Sequence, residues 1–234
     1  MNKQKLIYAL AIIAHPDDEA FLLAGTCMKF AEEGKSVGVL CATHGEQGAD
    51  RLHRDLTPEQ MAEIRIAELR RACSMIHCDC LELLDYPDGG LNLADSEQLE
   101  STLIKEIEKY QPKIIFTFGP EGITGHKDHI AIGRAAQAAA EQAQPRPKEI
   151  WLVSIPTSLM SKFLEHLSLR KIHHNHYQAE ELYGVPDERL VKIDIRKFAA
   201  AKAAALKAHE SQYLSDLNFD IFLEYECFEV IKLN

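Results

Sequence analysis

Two short stretches of this chain carry the residue types that do chemistry. The first, His15-Pro16-Asp17-Asp18-Glu19, follows a continuous apolar run; the second, His126-Lys127-Asp128-His129, lies far downstream after Phe118-Gly119-Pro120. Imidazole nitrogens and carboxylate oxygens are the donors that zinc and other divalent ions take. Pro16 keeps His15 out of the helical region, and Asp17 and Asp18 fall at the cap of the next predicted helix, so ring and carboxylates emerge together at a strand-to-helix corner. In the second stretch a His-x-Asp-His run at a helix start puts His126 and His129 near one face. Each cluster alone has a plainer explanation, since acids complement a helix dipole and a histidine fills a polar loop. Two such clusters at one crevice favour a metal site.

A catalytic zinc usually takes three protein ligands and keeps one position open for water. His15, Asp18 and His129 provide such a set, and Asp17, His126 and Asp128 are left over. A closed structural site has no use for a spare carboxylate beside the water.

The elements that must hold these residues can be read from the pattern. Leu6 to Ala14 reads as a strand buried on both faces, Asp18 to Glu33 as one helix stopped by Gly34, and Ser36 to Thr43 as the second strand. Pro58 opens a long helix through Met75, Cys80 to Asp85 is a third strand, Asp95 to Tyr110 a helix, Lys113 to Phe118 a fourth strand, and Asp128 to Gln142 an Ala-rich helix. Then come a strand at Glu149 to Ile155, a His-rich polar segment to Glu188, a strand at Leu190 to Ile195, an Ala-rich helix to Leu214 and a closing strand at Glu226 to Leu233. This alternation predicts an α/β, Rossmann-like doubly wound, mostly parallel sheet with helices on both faces, a single domain over residues 1–234. In the order 3-2-1-4, strands one and four are neighbours whose crossovers leave on opposite faces, and the crevice opens at their C-terminal ends. Both His/Asp clusters fall there. A dinucleotide-binding protein would carry a Gly-rich turn after strand one, and this chain does not.

Composition narrows the function further. The chain has 234 residues, with 26 Lys and Arg against 36 Asp and Glu, for a formal net charge of -10. No basic face is left to track phosphates, so nucleic acid is excluded as a partner. No apolar run is long enough to span a bilayer and the N-terminus lacks the pattern of a signal peptide, so the expected location is the cytoplasm, without membrane insertion. Six cysteines form no dense disulfide framework. His77, Cys78 and Cys80 suggest a metal knuckle, but no second ligand pair follows at suitable spacing, and buried thiols are the better reading.

The pairing of His-Pro-Asp-Asp-Glu with a later His-x-Asp-His resembles the LmbE-like, PIG-L-type family of zinc-dependent N-deacetylases. Other segments agree: Thr43-His44-Gly45-Glu46-Gln47-Gly48, Arg65 with Glu68, Pro87-Asp88-Gly89, and the late Ala208-His209-Glu210-Ser211-Gln212. Lys127 departs from the family pattern, where Pro is common, and leaves both histidines and the acid in place. The resemblance implies hydrolysis of the acetamide of an N-acetylglucosaminyl conjugate or related acetylated amino sugar. One Zn2+ per chain would sit on His15, Asp18 and His129, with Fe2+ or another divalent ion admitted. Asp17 would be the general base, and a protonated His126, oriented by Asp128, would stabilise the oxyanion. Asp17 and His126 both stay open as the acid that reaches the departing amine. Glu46, Arg65 and Asp88 would contact the sugar, and a homo-oligomer is plausible. Residue chemistry alone offers a plainer place for three residues of these segments: Arg65 in an exposed helix pair with Glu68 or Glu63, Asp88 in a turn, and His209 as a surface or core imidazole. His173, His174 and His176 read as a polar loop bordering the pocket or a subunit interface. Two further functions stay open, a metal-dependent amidase or phosphodiesterase acting on another small molecule, and a metal- or ligand-binding module without turnover.

Overall fold

The apolar run near the N-terminus forms β1 (Ala9–Ile13), and all five residues are buried, as a central parallel strand with both faces covered requires. The structure, a computed structural model, describes residues 6–169, 184–213 and 219–234. After β1 come α1 (Asp18–Leu22), α2 (Ala24–Glu32), β2 (Val37–Thr43), α3 (Pro58–Met75), β3 (Cys80–Tyr86), α4 (Ser96–Tyr110) and β4 (Ile114–Phe118). A short turn of helix α5 (Gly122–Gly125) leads into α6 (Lys127–Gln142), followed by β5 (Glu149–Ser154), α7 (Thr157–Leu169), β6 (Val191–Asp194), α8 (Ala199–Lys207) and β7 (Tyr225–Lys232). The α3 start is built as its sequence suggests: Thr57 accepts from the Gln60 amide, the Gln60 side chain accepts from the Thr57 amide, and Pro58 takes the first helical position.

The strands form one seven-stranded sheet in the order β3-β2-β1-β4-β5-β7-β6. β3 through β5 run parallel, while β7 is antiparallel to both β5 and β6. The expected neighbours β1 and β4 pair in register from Ala9 opposite Ile114 to Ala11 opposite Phe116. Their C-terminal ends therefore open side by side, with α1 leaving from one and α5 and α6 from the other.

Two expectations are corrected. The single helix from Asp18 to Glu33 is broken at the buried Leu23, whose φ of -133° leaves the helical region and divides α1 from α2. Helix α7 occupies the beginning of what reads as a polar segment, because Leu159, Met160 and Leu164 recur at helical spacing ahead of the histidines. His173, His174 and His176 lie outside the described residues. Among the described residues, no helix is long and apolar enough to cross a membrane.

Candidate active site

Asp18 shapes the corner after β1. Its Oδ2 accepts from the backbone amides of Ala14 at 3.2 Å and His15 at 2.9 Å, which ties the loop to the start of α1. Its other oxygen lies 3.3 Å from His129 Nε2. His129 is brought there by close approach of α6 to β4: a Cβ at Gly133 would stand 2.5 Å from the Phe118 carbonyl oxygen, so glycine is needed at the crossing. The His129 ring stacks on Phe118 with centroids 4.0 Å apart, and its Nδ1 donates to the Gly122 carbonyl at 3.0 Å. A carbonyl can only accept, so Nδ1 carries a proton and Nε2 is the nitrogen turned toward Asp18 and His15.

His15 is held the other way round. Its Nε2 lies 3.1 Å from Asp88 Oδ1 and 3.2 Å from Asp128 Oδ2, which places a proton on Nε2 and turns Nδ1 toward the second motif. His15 Nδ1 and His129 Nε2 thus face each other at 3.3 Å, with Asp18 Oδ2 3.8 Å from the former. Two ring nitrogens this close need a positive charge between them, a proton on His15 Nδ1 in the metal-free protein or a metal ion in its place. Donors about 2.1 Å from a tetrahedral ion stand roughly 3.4 Å apart, close to the spacing found. The residues present fit a divalent ion.

The charges agree. Burial opposes a charged His15, but hydrogen bonds to Asp128 and Asp88 and the charge of Asp18 overcome it and push its pKa up to about 10. Burial likewise opposes ionised Asp18, yet His129 and His15 hold it far below the usual carboxylate range. Two groupings bring one donor atom per residue within 4.8 Å of one another, His15 with His126 and His129, and His15 with Asp88 and Asp128, whereas Asp18 faces His129 with Oδ1 and His15 with Oδ2. In the second grouping, Asp128 already accepts from the amides of Gly89 at 2.8 Å and Leu91 at 3.1 Å, so its oxygens are committed to the loop after β3.

Asp17 stands beside the ligand set in a left-handed conformation, φ 112° and ψ -25°, that non-glycine residues seldom adopt. Burial raises its pKa, with Arg65 opposing the rise. Arg65 Nη2 lies 3.2 Å from Asp17 Oδ2 and also donates to the Pro16 carbonyl, while Nη1 donates to the Gly45 carbonyl at 2.8 Å. With 4% exposure, Arg65 is neither a helix-surface ion pair nor in the open position expected for a sugar contact; it braces Asp17 and its loop. Glu68 instead accepts from the backbone and hydroxyl of Ser211 at 2.8 and 2.7 Å.

Three further expectations meet a different geometry. The Asp128 carboxylate bonds His15, while His126, at the N-cap of α6, accepts the Asp128 backbone amide at Nδ1 over 3.3 Å. Burial, with His129 and His15 nearby, pushes the His126 pKa down to about 4, so the ring is neutral and carries its proton on Nε2 rather than being an imidazolium. Asp88 does not stand free in a turn: it bonds His15 and accepts the Gln47 amide at 2.9 Å, while Glu46 accepts the Asp88 amide at 2.8 Å. His209, which reads as a surface or core imidazole in an Ala-rich helix, lies just past α8 and is 2.6 Å from Glu19 at the first motif. Nothing local marks the contacts of Asp88, Asp128 and Glu19, whose partners are remote in sequence; the late His-x-Ser-Gln pattern was the signal for His209.

The comparisons extend this geometry. The family model described as GlcNAc-PI de-N-acetylase, PIG-L, matches residues 10–140. A probable N-acetyl-alpha-D-glucosaminyl L-malate deacetylase from Bacillus anthracis is 28% identical, with 94% of this chain and 87% of that protein covered. A 1D-myo-inositol 2-acetamido-2-deoxy-alpha-D-glucopyranoside deacetylase from Rhodococcus erythropolis is 32% identical over 87% of this chain and 80% of its own length. Among solved structures, the N,N'-diacetylchitobiose deacetylase from Pyrococcus horikoshii superposes with a TM-score of 0.73 at 20% identity, covering 97% of this chain and 84% of that one, which shows the shared fold. With the family model spanning more than half of the sequence and both motifs inside it, this chain belongs to the PIG-L family.

Proposed function

We propose that the protein is a metal-dependent deacetylase that hydrolyses the acetamide of an N-acetylglucosaminyl conjugate or related acetylated amino sugar. The observation that carries this reading is the convergence of His15 Nδ1 and His129 Nε2, 3.3 Å apart, with the Asp18 carboxylate beside both. These three residues would hold the ion, with zinc the first choice for a set of two imidazoles and one carboxylate, and Fe2+ an alternative. When bound, such an ion supplies Lewis acidity that brings the pKa of water toward neutrality.

The rest falls to the chain's own groups. Asp17 Oδ1 or Oδ2 takes the proton of the attacking water, and a base with a raised pKa keeps that proton long enough to pass it on. Neutral His126 donates from Nε2 to the acetyl oxygen as negative charge develops there. The proton held by Asp17 goes to the departing amine, because a neutral His126 has its only proton engaged in that hydrogen bond. Asp88, which bonds His15, and Glu46, which accepts the Asp88 amide from the loop after β2, would read the sugar hydroxyls. These assignments of Asp17, His126, Asp88 and Glu46 draw support from placement and from the family.

An amidase or phosphodiesterase on another small molecule is the second reading. Two-ion phosphoester chemistry needs a second ligand set. Among the described residues both alternative groupings reuse His15, which favours the one-ion reading. Acetate release from a panel of N-acetylglucosaminyl glycosides and free N-acetylated amines, run beside Asp17→Asn at matched metal content, tests the proposal. Release from the glycosides that falls about 100-fold or more in the variant supports it. Full activity in Asp17→Asn removes that residue as base, and no release from any acetylated sugar removes the reaction.

A further inference from the structure

The late His209-Glu210-Ser211-Gln212 segment has no part in the reaction above, yet it is bound into the site from behind. The Ser211 amide and hydroxyl donate to Glu68 on α3, the Arg51 amide donates to the Ser211 carbonyl at 3.0 Å, and Gln212 Nε2 donates to the Ala49 carbonyl at 3.1 Å. Anchored in this way to α3 and to the loop after β2, the segment presents His209 to the first motif. His209 Nε2 lies 2.6 Å from Glu19 Oε1, and the other oxygen of Glu19 accepts the backbone amide of Asp17 at 3.1 Å. Glu19 has no exposed surface and His209 is 2% exposed.

From this relay we infer that His209 is a positioning residue for the catalytic base, acting through Glu19 to fix the Asp17 backbone. The inference rests on the reading of Asp17 given above. Its physical basis is twofold. A fully buried carboxylate needs hydrogen-bonded partners, and His209 is the basic group the structure pairs with Glu19. The Asp17 conformation is one that an L-residue keeps only when its surroundings over-determine it. Arg65 grips the side chain and the preceding carbonyl from the α3 side; Glu19 grips the amide from the α8 side. Without His209 the Glu19 carboxylate loses its partner, leaves its place and frees the Asp17 amide, and the base moves off its line to the water.

Packing does not account for an imidazole here. His209 Nδ1 is buried with no partner among the described residues, a cost that an apolar side chain of similar size would avoid. What the ring supplies that an apolar group lacks is the Nε2 contact to Glu19.

The test compares His209→Gln, whose amide nitrogen reaches the place of Nε2, with His209→Leu and with the shorter His209→Asn, all loaded with zinc. The Leu and Asn variants are expected to lose kcat by about 10- to 100-fold with KM within about twofold and zinc content at the wild-type level. His209→Gln recovers most of the loss. Hydrogen exchange of a peptide spanning residues 15–20 gives a readout apart from turnover: the Asp17 amide exchanges faster in Leu and Asn and at the wild-type rate in Gln. Should Leu alone fail to fold, Asn against Gln decides. Equal loss in all three variants, or wild-type kcat and exchange in Leu or Asn, overturns the inference. A wild-type protein that releases no acetate from acetylated sugars defeats the deacetylase reading instead, and the exchange comparison still decides whether His209 holds Asp17.

Discussion

His15 Nε2 lies 3.2 Å from Oδ2 of Asp128, so the first motif's imidazole is oriented by an acid of the second. The same carboxylate accepts the Gly89 and Leu91 amides, which ties three loops to one group. A carboxylate behind a ligating histidine fixes its tautomer and raises its basicity, and losing it typically costs roughly 10- to 100-fold in metal affinity. Asp128→Asn is expected to lose zinc affinity in that range by chelator competition. Asp88→Asn is expected to lose less, because Asp128 also accepts the Gly89 and Leu91 amides and so holds the loop that carries Asp88. Equal affinities in wild type and Asp128→Asn would contradict the orienting role.

Metal uptake is expected to release protons. With its pKa pushed up to about 10, His15 is charged at neutral pH in the metal-free protein, and an ion on Nδ1 needs that nitrogen deprotonated. About one proton per ion leaves at pH 7, and apparent affinity rises roughly tenfold per pH unit until the pH reaches the His15 value, then levels. The sign for stability is opposite. A raised histidine pKa stabilises the metal-free fold fully below the unfolded value of 6.5, and this contribution is lost as pH climbs through about 10. Calorimetry in two buffers of different ionisation enthalpy measures the protons released; none released would mean that His15 is already neutral.

The order of the first four strands and the place of both motifs were legible because the alternation of apolar strands with capped helices leaves few topologies, whereas the insertion of antiparallel β7 between β5 and β6 was not. Once β1 and β4 are neighbours, His15 and His129 must meet. What was not legible is which acid serves which imidazole. Asp128 is next to His129 and near His126 in sequence, yet its side chain bonds His15, because the α6 start turns its carboxylate toward the loop after β3. Arg65 shows the same limit from another side: helical spacing offers it Glu68, while its position on the α3 face toward β1 gives it Asp17 and two carbonyls. Spacing reports who can share a helix face; it does not report which loop packs over that face.

Gly133→Ala tests how the fold sets the site. The added Cβ would meet the Phe118 carbonyl oxygen at 2.5 Å, a backbone atom of β4 that cannot swing aside, so α6 must back away and carry His129 with it. Overpacking of this kind costs about 1–3 kcal/mol. A displaced ligand also weakens metal binding, so the variant is expected to show a lower melting temperature together with lower zinc affinity. Normal zinc affinity in a destabilised variant would uncouple the helix crossing from the site.

A last prediction concerns stability away from the chemistry. Lys202 on α8 is 1% exposed and bonds Glu226 on β7 at 2.7 Å; Glu226 in turn accepts the amides of Gly25 at 2.9 Å and Thr26 at 2.7 Å near the start of α2. The carboxylate thus joins the antiparallel strand to α2 and α8. Lys202→Met keeps most of the volume and strands a buried negative charge, which typically destabilises by about 3–5 kcal/mol. Adding Glu226→Gln removes that charge, and the neutral amide can still accept from one of the two backbone donors. The double variant is therefore expected to recover part of the loss in denaturant unfolding, with zinc affinity unchanged throughout. If Lys202→Met proves as stable as wild type, the pair contributes nothing net, and the fold depends there on the apolar packing around it.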